Sequence, residues 1–289
     1  MGLAIVGELY WTSSEWIVGG RGTQHGHGSS RDDRTDPWSG EVCSQMKVVC
    51  SIEARMTSTR LPGKVLLEAN GKPMLFHLIR RLKTVGLIDE IILATTRNAT
   101  DDILERFAQQ SGISVYRGSE PDVLGRVVEA SCVTEADVVV RVTGDNPLCD
   151  PEIIQHVIKS FLVSEVEYAG NARVRSYPNG MEVEVVSADS LLTASENAID
   201  DKYREHTCLF IRDSPTEYSS IDVLAPDALH WPELSLTLDE VVDYQLISAV
   251  IEALEYEEGM AGCSEIIEFL RGRPDLVALN ESVKRTVIE

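Results

Sequence analysis

VVCSIEARMTSTRLPGKVL, residues 48–66, is the stretch on which the fold turns. Val48 to Ile52 form a short apolar run of strand character, and the turn-rich segment after it carries Arg55, Arg60 and Lys64, three cations within ten residues. Thr57, Ser58 and Thr59 place small hydroxyl donors between those cations. Pro62-Gly63 sets a turn in which backbone N–H groups can approach a ligand closely. Cations, hydroxyls and a Pro-Gly turn just past the carboxyl end of a strand describe a phosphate-handling loop, because open α/β sheets bind their ligands there. The other reading of the same residues is an exposed basic connection after an edge strand.

Downstream, short apolar strands alternate with helical spacing. Asn70-Gly71-Lys72-Pro73 is a turn, and Met74, Leu75, Leu78, Ile79 and Leu82 recur at helical intervals until Gly86. His77 within that helix reads as a surface or packing residue. Residues 91–95 are a strand, a helix capped by Thr100 or Asp101 runs to about 110, and residues 113–116 are a third strand. A helix over about 122–134 leads to the strand at 137–142. This spacing predicts an α/β fold with a mostly parallel, Rossmann-like sheet flanked by helices and right-handed crossovers. Thr143-Gly144-Asp145-Asn146-Pro147 follows, and Asp150-Pro151 starts a helix to about 162. Beyond Ser164 the texture changes to a small β/α insertion: a strand over 168–174, then an alternating segment at 180–186 of the kind a half-exposed strand shows. Helices are expected over 188–198, 202–212 and 240–254 and within 262–289, with a strand near 218–223.

The chain has 289 residues and a formal net charge of -21, from 47 Asp plus Glu against 26 Lys plus Arg. So acidic a surface argues against nucleic acid or an anionic membrane as partner, since both need broad positive surface. It also allows a salty host interior, where screening relieves self-repulsion, as readily as an ordinary acidic cytosolic protein. No apolar run approaches the ~20 residues of a membrane span. Six scattered cysteines without a C-x-x-C pair read as reduced thiols of a cytoplasmic protein. Residues 1–46, with Trp11, Trp16 and Trp38 among Gly, Ser, Asp and His, read as a poorly ordered extension before a single α/β domain at 47–289. Met46, just ahead of the first strand, suggests a translation start there, and His25 with His27 is a weak metal signal.

At these residues the chain resembles the sugar cytidylyltransferases, a family that includes the acylneuraminate and 3-deoxy-manno-octulosonate enzymes, and within it most closely the spore-coat polysaccharide type. The resemblance rests on ARMTSTRLPGK at 54–64, NGKPML at 70–75, RGSEPDVLGR at 117–126, VTGDNPLCDP at 142–151, NGMEVEV at 179–185, REH at 204–206 and LTLDEVVDY at 236–244. It implies the nucleotide-diphospho-sugar transferase type of fold and transfer of CMP from CTP to a sugar hydroxyl, with magnesium, for surface polysaccharide. It implies that Arg55 and Lys64 bind the CTP phosphates, with Arg60 beside them, and that backbone to Ala54, with Thr95, holds the base. Arg117 and Arg126 are nucleotide-pocket candidates; Asp145 and Asp239 would hold the magnesium. Glu182, Glu184 and His206 fall in the region the family places near the acceptor sugar and the subunit contact, so 165–186 is the candidate segment for a homodimer. Thr57 departs from the family's commoner glycine, which narrows the loop's approach to the phosphates.

Two carboxylates at the ends of separate strands are also what an oxygen-liganded, phosphate-bound magnesium requires. The plainer readings are a turn residue for Asp145 and a helix N-cap for Asp239. Other functions compatible with the fold are a sugar-1-phosphate nucleotidyltransferase or a nucleotide-sugar glycosyltransferase, whose GGxGxRL and DxD signatures do not occur here. A non-catalytic nucleotide-binding regulatory protein is the reading from a different class.

Overall fold

The computed structural model describes residues 8–12, 15–17, 46–255 and 259–283. Seven strands of its main sheet are β1 (Val48–Glu53), β2 (Glu90–Thr96), β3 (Ser114–Gly118), β4 (Val138–Thr143), β5 (Tyr168–Gly170), β6 (Glu184–Ser187) and β7 (Ser220–Val223). They lie side by side in the order β7-β5-β6-β4-β1-β2-β3. β4, β1, β2 and β3 are mutually parallel, β7 is parallel to β5, and β6 alone runs antiparallel to both its neighbours. Beyond β7 the sheet continues into Glu8–Thr12, parallel to β7, and Glu15–Ile17, antiparallel to that strand. His25, His27, Trp38 and Cys43 lie outside the described residues.

The helices are α1 (Met74–Leu82), α2 (Asp102–Gln110), α3 (Val123–Val133), α4 (Pro151–Ser164), α5 (Ala188–Asn197), α6 (Asp201–Glu205), α7 (Leu209–Asp213), α8 (Val241–Leu254), α9 (Cys263–Arg271) and α10 (Pro274–Val277). β1 is central because its apolar run is buried on both faces, the mark of a parallel strand covered by helices on each side. Val48, Cys50 and Ile52 pack into one core with α1, α4, α8 and α9, while Val49 points into a second core with α3 and α5. Local signals set several helix starts: the side chains of Asp122, Asp150 and Ser187 accept from the first-turn amides of α3, α4 and α5.

Three expectations change. The alternating segment 180–186 is not a half-exposed strand: only Glu184–Ser187 pairs, between β4 and β5, and Glu184 is 2% exposed. Glu184 is satisfied inside, by Arg141 and Tyr168, so the alternation at this position reports a buried ion pair instead of a wet face. The strand expected over 168–174 closes after Gly170. The single helix expected over 202–212 is broken into α6 and α7 at His206–Cys208.

Candidate active site

The carboxyl ends of β1 and β4 meet closely enough that only glycine fits at 144: a Cβ there would lie 2.8 Å from the Ala54 Cβ. The Gly144 amide donates to the Glu53 carbonyl at 2.8 Å, and Asp145 emerges directly beyond. The loop after β1 folds back through Gly63, whose left-handed φ of 71° and amide bond to the Met56 carbonyl at 2.9 Å start a short 3-10 turn at Lys64. Asp239 reaches the same point because the Leu238 amide bonds the Asp145 carbonyl at 2.8 Å.

There the Lys64 ammonium donates to Asp145 Oδ2 at 2.8 Å and to Asp239 Oδ1 at 2.9 Å. Arg60 takes the other oxygen of Asp239 at 2.9 Å. Burial works against the charge on Lys64 and on Asp145, but their mutual attraction outweighs it, raising the lysine pKa and lowering that of the aspartate. The cap of α8 is Glu240, answered by Asp243, so the N-cap role open to Asp239 is filled by its neighbours.

Two cavities flank the cluster, one of about 300 Å³ and one of about 1090 Å³, and Arg60, Asp145, Asp239 and His206 line both. The smaller is walled by Ala54, Arg55, Ser58, Thr59, Lys64 and Arg126. The larger is walled by Arg173, Arg175, Arg212, Asn146 and Glu182 among others. A compact cation-lined lobe thus opens, across paired carboxylates, into a roomier arginine-rich one.

Residues 49–262 match the model of the cytidylyltransferase family. The chain belongs to the cytidylyltransferase family. It is 35% identical over 236 residues to the spore coat polysaccharide biosynthesis protein SpsF of Bacillus subtilis, covering 80% of this chain and 97% of that protein. A 3-deoxy-manno-octulosonate cytidylyltransferase of Geobacter metallireducens is 34% identical over 113 residues, 39% of this chain and 44% of that enzyme. Among solved structures, a cytidylyltransferase from Leptospira borgpetersenii superposes with a TM-score of 0.76 at 27% identity, over 84% of this chain and all of the other. The protein is therefore a CTP-using nucleotidyltransferase.

The fold of this cytidylyltransferase brings Ala54, Arg55, Arg60, Lys64, Arg126, Asp145, Asp239, Glu182 and His206 to the cleft. Arg55 also pairs with Glu120 at 3.2 Å, and Arg126, 3% exposed, donates to the Ser119 carbonyl at 2.6 Å. Burial raises the Glu182 pKa and lowers that of His206. Glu182 accepts from the Gly180 amide at 2.6 Å. Three candidates are not among the lining residues. Thr95 is fully buried and donates to Asp101 at 3.2 Å; since Asp101 also accepts from the Met56 amide, Thr95 supports the loop from behind. Arg117 clamps the Thr96 and Asn98 carbonyls and pairs with Asp102 and Glu105. Glu184 lies in the interior, tied to Arg141 at 2.8 Å.

Sequence reasoning missed Arg141, which lines both lobes and is held by both oxygens of Glu53, at 2.9 and 2.8 Å. The available signal was a lone arginine inside the apolar run of β4. It also missed Arg173, fixed to Asp222 through a two-point contact, and Arg212.

Among the described residues no three His, Cys, Asp or Glu side chains gather as a metal cluster. Asp145 and Asp239 nonetheless converge on one cation, the Lys64 ammonium. A pair of carboxylates with room beside it fits magnesium, which takes one or two carboxylates and completes its shell with phosphate and water.

Proposed function

We propose that this cytidylyltransferase transfers CMP from CTP to a hydroxyl of a keto-deoxy or related acidic sugar, releasing pyrophosphate, as a cytoplasmic step in surface polysaccharide synthesis. The observation that carries this reading is the Asp145–Lys64–Asp239 cluster standing at the junction of the two lobes. The smaller lobe, with Arg55, Arg60 and Lys64, suits a triphosphate. The larger, with Arg173, Arg175 and Arg212 on its walls, suits an anionic acceptor, and the names of similar proteins agree with a sugar.

In the reaction the acceptor oxygen bonds to the α-phosphorus as the bond from that phosphorus to the bridging β-phosphate oxygen breaks. Pyrophosphate leaves with the electron pair, and the hydroxyl proton passes to solvent. Lys64, Arg55 and Arg60 pair with the phosphates, the backbone up to Ala54 holds the base, and Asp145 with Asp239 would hold magnesium. Magnesium, when bound, neutralises charge on the phosphates as pyrophosphate forms. His206 and Glu182 orient the acceptor. The test is pyrophosphate release with each of the four nucleoside triphosphates against keto-deoxy, amino and neutral sugars. Release with CTP and an acidic sugar is the expected outcome. Activity confined to sugar 1-phosphates, or no CTP-dependent release with any free sugar, overturns the assignment.

A further inference from the structure

The side chain of Lys64 is 10% exposed, less than those of Asp145 and Asp239, at 26% and 19%. The lysine side chain is thus more enclosed than either carboxylate, on a turn whose backbone is fixed by Gly63. It satisfies both aspartates with a single charge. A divalent ion small enough to take both carboxylates needs the same oxygens, and two cations sharing so confined a space repel strongly.

Release of Lys64 therefore needs another anion. The walls around it carry the cations Arg55, Arg60 and Arg126; of their other carboxylates Glu53 is held by Arg141 and Glu205 is exposed to solvent, and Asp239 is shared with Arg60 already. A metal ion arriving alone would leave a mostly buried ammonium facing like charge. A triphosphate in the smaller lobe supplies the missing anion.

We propose that Lys64 is the resident counter-ion of the aspartate pair and yields it only when a triphosphate takes the ammonium, so that the metal is admitted with the nucleotide and not ahead of it. The proposal rests on the reading that Asp145 and Asp239 hold the metal. Because coupling between two ligands is reciprocal, the same contact makes the metal tighten nucleotide binding.

The test uses the full chain, Mn²⁺ as probe and α,β-methylene-CTP, which binds without turning over. Mn²⁺ affinity is measured by electron paramagnetic resonance and calorimetry, for the unaltered protein and for Lys64→Met and Lys64→Gln, with thermal melts confirming that each variant is folded. Both neutral variants are expected to bind Mn²⁺ alone about tenfold or more tighter than the unaltered protein, since a competing cation has gone. They are also expected to bind the analogue more weakly. Equal Mn²⁺ affinity in the absence of analogue for the unaltered chain and a folded variant overturns the counter-ion role and leaves the metal pair standing. Mn²⁺ binding that Asp145→Asn does not weaken, with or without analogue, overturns the metal reading itself and the proposal with it.

Discussion

At Asp145 and Asp239 two carboxylates share one ammonium, so each aspartate has a structural duty as well as its proposed chemical one. Asp145→Asn and Asp239→Asn keep the shape of the side chain but remove a charge. Turnover is expected to fall by on the order of a hundredfold or more in each, the scale seen when a major electrostatic stabiliser is lost at a reacting centre. The double variant is expected to be little worse than the worse single one, because both act on one unit. Steady-state pyrophosphate release checks this, and near-normal turnover in either single variant removes that residue from the site. Both aspartates were legible in the sequence, each just after an apolar run. Lys64 was legible as a cation of the loop, but its pairing with both aspartates was not, since 81 and 175 residues separate them.

Where elements join, single side chains carry more than the local pattern shows. Asp150 reads in the sequence as the cap of α4, where Asn would serve as well. In the fold its Oδ1 accepts from the Glu152 amide at 2.6 Å and its Oδ2 from the Cys263 amide at 2.5 Å, so one carboxylate caps both α4 and α9. Asn has one acceptor oxygen, and its amide nitrogen would face an N–H. Asp150→Asn is accordingly expected to cost about 1–3 kcal/mol of stability, the range for a buried group left unsatisfied. Denaturant unfolding beside a rate measurement separates this from any change in activity. Arg141 does the same for the sheet, joining Glu53 at the end of β1 to Glu184 of β6. Arg141→Met leaves both glutamates without their main partner, and breaking a buried pair from one side costs about 3–5 kcal/mol. A loss well below 1 kcal/mol in the same unfolding measurement would show the network to be dispensable.

Across the whole molecule, charge and assembly are the testable properties. His156 of α4 has its pKa lowered from 6.5 to about 4, first by burial and then by Lys159. Between those values the unfolded chain binds the proton and the folded chain does not, so the contribution is present above pH 6.5 and is lost as pH falls toward 4. His156→Gln should flatten the melting-temperature profile across that window; an unchanged slope contradicts the assignment. For assembly, β5 and β6 have strand neighbours on both sides, so the 165–186 segment offers no free sheet edge. Besides Glu165, it exposes the loop holding Val174, 44% exposed, between the cleft arginines Arg173 and Arg175. A homodimer through this loop is the expected state, with two-fold contacts the commonest kind in soluble assemblies. Light scattering at micromolar concentration that shows a dimer dissociated by Val174→Glu agrees with it, and a monomer there rules it out.

The sequence by itself determined the alternation of β1 to β4 with α1 to α4, because apolar period, turn residues and caps act over neighbouring residues. It determined the cation-rich loop and the two aspartates too, each just beyond an apolar run, although only Asp145 follows a strand: ahead of Asp239 the chain makes a single bridge, Ser235 to Asn179, where a strand was expected. Only the tertiary structure decided which polar residues face the cleft and which are spent on the fold. Arg117 and Glu184 look like site residues in one dimension, yet their partners are the Thr96 carbonyl and Arg141. Arg141 looks like a strand residue, yet it lines both lobes. A strand's face and an ion pair's partner are fixed by sheet order and by contacts between residues far apart in the chain, and neither is written in local spacing.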